Sequence, residues 1–108
     1  MEKGHRISRW EDPQSLSARL KKYDGDKIEC CYHAFFRLNE LQRKVYTCEH
    51  LKDYLLNQRP VKCGKHYNNY TSVFYDFEYE KEIRIVLDIT PSKVTIVTFY
   101  IVMKHKDD

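Results

Sequence analysis

The spacing of apolar residues changes period at Pro60, and that change sets the class of fold open to this chain. Before Pro60 the apolar positions recur at three- and four-residue steps, the period of a helix face. Leu16, Leu20 and Tyr23 predict a short helix over Ser15–Tyr23, ended by the turn Asp24-Gly25-Asp26. Ala34, Phe35, Leu38, Leu41 and Val45 predict a longer one from Glu29 to about Lys44. Thr47 reads as an N-cap with Glu49 in the first turn, opening a helix that runs to about Asn57 with Leu51, Tyr54 and Leu55 inward. After Pro60 the alternation is by twos. It covers Val61–Lys65, then Tyr70–Tyr79 through Val73, Tyr75, Phe77 and Tyr79, then Ile83, Ile85, Leu87 and Ile89. Lys93–Met103 is apolar on both faces, as suits a central strand. Asn68-Asn69, Glu80-Lys81 and Thr90-Pro91-Ser92 are the turns between them. Links this short leave no room for a parallel crossover. The expectation is an α+β fold with two or three N-terminal helices packed on a four-stranded antiparallel meander. Residues 1–28 are expected as an extension holding the short helix, with residues 1–14 an irregular lead-in. Residues 29–104 form the α+β domain, and Lys104–Asp108 a frayed tail.

A chain of 108 residues suits one domain. No stretch of about 18 apolar residues is present, and the N-terminus lacks the apolar core of a signal peptide. A cytoplasmic protein is therefore expected. In that setting Cys30, Cys31, Cys48 and Cys63 are expected as free thiols. A metal set drawn from these with His50 and His66 lacks a C-x-x-C pair and any finger spacing, so neither metal nor cofactor is expected. The chain has no P-loop, Rossmann glycine pattern, H-E-x-x-H or G-x-S-x-G, and only three glycines. Residues 1–65 carry 14 Lys/Arg against 9 Asp/Glu, and residues 66–108 carry 5 against 7. The helical part is thus +5 and the sheet part −2, so any attraction for a polyanion belongs to the helices.

One constellation carries chemistry. His33 and Arg37 lie four apart on the expected helix, with Arg43 and Lys44 extending its basic surface as RNA-contact candidates. Arg84 lies opposite the apolar face of its strand, and Thr98 and Tyr100 share one face of theirs. A histidine, two arginines, a threonine and a tyrosine on one surface suit phosphodiester cleavage. Histidine moves a proton near neutral pH, while guanidinium groups stabilise charge on phosphorus. Each residue also has an ordinary use, in ion pairs, cross-strand pairs or sheet packing.

The run His33-Ala-Phe-Phe-Arg37, followed by a second helix and a last strand with Val97-Thr98-Phe99-Tyr100, resembles a family of RelE-like domains. Those domains carry H-A-x-x-R and T-x-Y motifs. They are grouped with RelE-type toxins in a superfamily that includes barnase, EndoU and the tRNA-cutting colicins. The resemblance spans roughly residues 30–103. It implies two helices on a four-stranded antiparallel sheet and a metal-independent endoribonuclease of toxin–antitoxin type, with RNA and an antitoxin protein as partners. It implies His33, Arg37, Thr98 and Tyr100 as catalytic residues, with Arg84 matching less closely. Residues 1–29 and the aromatic, acidic stretch 66–80 depart from the pattern. A non-catalytic RNA- or protein-binding module is the alternative, and a homodimer through exposed Tyr and Phe side chains is a third expectation.

Overall fold

The computed structural model describes residues 6–104; the expected polar start at residues 1–5 and tail at 105–108 lie outside that range. Three helices form where the sequence supplies caps. In α1 (Pro13–Leu20) the Asp12 carboxylate accepts from the Ser15 amide at 3.1 Å, proline opens the first turn, and Leu16 and Leu20 point inward. Those hydrogen bonds from Ser15 hold the Asp12 carboxyl below its ordinary pKa. In α3 (Cys48–Asn57) the Thr47 hydroxyl accepts from the His50 amide, and Leu51 and Leu55 are fully buried. Burial of each leucine contributes about 2 kcal/mol.

The expected helix from Glu29 to Lys44 does not form. Its place is taken by a strand β2 (Ile28–Cys30), a 3-10 turn (Tyr32–Phe35) and a short helix α2 (Glu40–Val45). Two effects, one local and one remote, override the helical period. Asn39 and Gln42 make a reciprocal capping box, at 2.9 and 3.0 Å, that starts a new helix at Glu40. Upstream, the backbone of Ile28–Cys30 finds partners on a distant strand instead of within a helix.

The sheet has six strands and is mixed, in the order β1-β3-β4-β5-β6-β2. The meander β3 (Lys62–His66), β4 (Thr71–Asp76), β5 (Lys81–Ile89) and β6 (Val94–Met103) is antiparallel, as its short links require. Asn69 and Glu80 sit at φ 73° and 59°, where the chain reverses. The expectation of a four-stranded antiparallel sheet behind N-terminal helices is overturned at both edges. β1 (Ile7–Glu11), in the stretch read as an irregular lead-in, precedes every helix and pairs antiparallel with β3. β2 pairs parallel with β6 over three residues, Ile28–Cys30 against Val94–Ile96; the intervening helices and meander provide the long crossover that a parallel pair needs. Beyond Ile96, β6 pairs with β5 alone, so it is central for only its first turn of pleat.

Val73, Tyr75, Ile83, Ile85, Leu87, Ile96 and Phe99 line one sheet face, where they pack with Leu16, Leu20, Leu51 and Leu55. The alternation then places Ser72, Phe74, Arg84, Val86, Thr98 and Tyr100 on the opposite face. Cys30 and Cys48 form a disulfide with Cα atoms 5.9 Å apart, which corrects the expectation of four free thiols; Cys31 and Cys63 are free. Packing of α3's first residue beside the end of β2 brings that pair together, and spacing alone carries no sign of it.

Candidate active site

Arg84 is the centre of the face turned away from α1 and α3. It is only 4% exposed, and it sits directly across the β5–β6 ladder from Tyr100. Its Nε donates to the Ser72 hydroxyl at 2.7 Å. The same hydroxyl lies 2.6 Å from His66 Nε2, and Arg84 Nη2 lies 3.3 Å from that nitrogen. A guanidinium has only donors, so Ser72 accepts from Arg84 and passes its own O–H to the imidazole. His66 Nε2 then receives two donors and must carry its lone pair, which assigns the ring proton to Nδ1. Together the hydroxyl and the imidazole fix the direction of the guanidinium.

The rest of the face is a row of cations over rings. Arg84 lies 5.4 Å from the centre of the Phe74 ring, and Lys62 4.9 Å from it on the neighbouring strand. Trp10 of β1 packs on Phe74 at 5.9 Å. Lys62 also pairs with Glu82 at 3.6 Å. Burial lowers the pKa of Arg84 while the Tyr100 hydroxyl works in the opposite direction.

Four of the five expected catalytic residues are brought into one line. Thr98 and Tyr100 share the face with Arg84, as the alternation required. Arg37 arrives from the loop after the 3-10 turn, at the edge where β6 has lost β2 as a neighbour. Its guanidinium lies 5.2 Å from the Tyr100 ring centre and 4.9 Å from that of Phe99, and it donates to the carbonyls of Phe99 and Ala34. His33 is not drawn into that line by any contact: its ring is exposed and meets Phe36 edge-on at 4.7 Å. It sits on the turn, not on a helix face, so the four-residue step to Arg37 does not place the two side by side.

Arg43 and Lys44, the expected RNA contacts, lie exposed on α2. Arg43 is tied back to the turn through the Phe35 and Phe36 carbonyls at 3.3 and 3.4 Å. His66 entered the sequence reading only as a metal-ligand candidate and Ser72 not at all, because the two meet diagonally across β3 and β4. Among the described residues, no three His, Cys, Asp or Glu side chains gather as a metal-binding group. No described helix is long and apolar enough to cross a membrane. No protein-family model matches the chain, and neither does any curated protein or solved structure with which it was compared.

Proposed function

We propose that the protein is a metal-independent endoribonuclease that cleaves RNA by attack of a ribose 2′-hydroxyl on the adjacent phosphate. The observation that carries this reading is the placement of Tyr100 between two guanidinium groups, Arg84 across the ladder and Arg37 at the open edge of β6. A phosphate over Tyr100 meets a positive charge on either side, and both charges gain as negative charge develops on phosphorus. Ser72 and His66 are positioning residues for Arg84. Proton transfer from the 2′-hydroxyl is assigned to the exposed imidazole of His33, which no contact among the described residues joins to Arg37, Arg84 or Tyr100, so the RNA itself has to span the distance between that ring and the arginines. Thr98 and Tyr100 supply orienting hydroxyls. Bond formation from 2′-oxygen to phosphorus breaks the bond from phosphorus to the 5′-oxygen, which takes up a proton from water while His33 returns its own to solvent. The products are a 2′,3′-cyclic phosphate and a 5′-hydroxyl.

The test is incubation of purified protein with total RNA in EDTA, reading cyclic phosphate ends. Arg84→Gln is expected to reduce the rate about 100-fold or more. A requirement for a divalent cation, or full activity in His33→Ala, defeats the mechanism. Binding without any cleavage favours the second reading, a non-catalytic RNA-binding module. That reading draws on the exposed aromatic and basic surface around Tyr32, Phe36 and Arg43.

A further inference from the structure

The failure of the 29–44 helix leaves apolar side chains in an unusual place. Tyr32 is 84% exposed and Phe36 63%, and Leu41 and Val45 on α2 are exposed as well. Of these, Tyr32 and Phe36 border one groove, whereas Leu41 and Val45 lie outside its lining. Between the 3-10 turn, α2 and the start of α3 lies a groove of about 310 Å³. Tyr32, Phe35, Phe36 and Tyr46 line it with rings, and Arg43 and Thr47 contribute polar atoms.

Arg43 is the charged residue of the lining, with Arg37 and Lys44 next in sequence to lining residues on one side and Glu49 next to Cys48 on the other. Two carbonyls fix the orientation of Arg43, Lys44 is its neighbour on α2, and Arg37 directly follows Phe36. Aromatic faces bordered by cations recognise planar π-systems carried on a polyanion. The groove is joined to the site above by one step of backbone. Phe36 lines the groove and the next residue reaches Tyr100, so one extended strand serves both.

We infer that this groove holds an unpaired base of single-stranded RNA, stacked on Tyr32 and Phe36, with Arg43 and Lys44 on the flanking phosphates. This rests on the proposed reaction, since it supplies the substrate class: RNA whose bases are free to leave the stack. Bases inside a duplex present no open face to the rings.

The test is fluorescence anisotropy with a labelled, unstructured 2′-O-methyl oligonucleotide, which lacks the attacking hydroxyl and cannot be cut, against the same strand in a duplex. The single strand is expected to bind at least ten-fold more tightly. Phe36→Ala and Tyr32→Ala are expected to weaken it by about ten-fold each, and Phe36→Trp to preserve it. Arg43→Gln is expected to flatten the dependence of affinity on salt. Equal affinity for the duplex, or unchanged affinity in Phe36→Ala and Tyr32→Ala, overturns the inference. So does light scattering in which Phe36→Ala turns a dimer into a monomer, because the groove is then covered by a second copy. The two proposals fail separately. Ring-dependent binding with no cleavage of ordinary RNA keeps the groove and removes the nuclease. Cleavage in EDTA with an affinity indifferent to both rings does the reverse.

Discussion

Ser72 has one hydroxyl and two demands on it. It accepts from Arg84 Nε and donates to His66 Nε2, both within 2.7 Å. Ser72→Ala removes both bonds inside a buried site and is expected to cost about 1–3 kcal/mol of unfolding free energy, read from denaturant midpoints. An unchanged midpoint means that the hydroxyl is not what holds the guanidinium. Cys63, fully buried in β3, gives a second prediction. Burial pushes its thiol up to about 11 from an ordinary value of 9. An acid whose folded pKa lies above its unfolded one stabilises the fold fully at pH below the unfolded value, then loses that contribution as pH rises through the folded one. Stability is therefore expected to fall between pH 9 and 11 by on the order of 2 kcal/mol. Cys63→Val should lessen the fall; an equally steep decline in that variant removes the thiol as its cause. Burial raises the Tyr75 phenol as well, with the same sign at higher pH. At this scale the sequence was informative wherever a period decided the outcome. Arg84, Thr98 and Tyr100 share a face because strands alternate. The pairing of His66 with Ser72 was hidden, because diagonal neighbours depend on a register that no single strand encodes.

Elements held by their own residues were legible, and elements held by remote partners were not. Thr47 announced α3, and the tight links announced the meander. β1 and β2 gave little sign of themselves, since their partners lie more than fifty residues onward. The apolar stripe over 34–45 misled for a related reason. Asn39 restarts the helix, so Leu41 and Val45 turn outward and the period no longer refers to a single axis. β1 depends on one close approach. A methyl group on Gly64 would lie 2.6 Å from the Ile7 side chain and 3.1 Å from the Arg9 carbonyl. Gly64→Ala is expected to displace β1 while leaving the β4–β5 ladder intact. Amide hydrogen exchange should show this as faster exchange in Ile7–Glu11 alone. Unaltered protection there would show that the strand shifts enough to make room.

For the whole molecule, the class was right and the topology was not: helices and a sheet were readable, whereas the mixed six-stranded order requires both edges to be known. The Cys30–Cys48 link ties β2 to α3 and closes a loop with sequence separation 18, which contains the groove and Arg37. Loop-closure entropy for that length is about 3 kcal/mol. Reduction with a dithiol is expected to lower the melting temperature and to loosen the 32–46 segment first. A melting curve indifferent to the reductant would mean the link adds no stability. The strand order has a temporal side too. The first thirty residues furnish both borders of the sheet, and one of those borders waits for Val94–Ile96. During synthesis, β2 stays without its ladder until Val94–Ile96 has been made. The order of manufacture therefore leaves this border waiting through two helices and three strands for the segment that completes it.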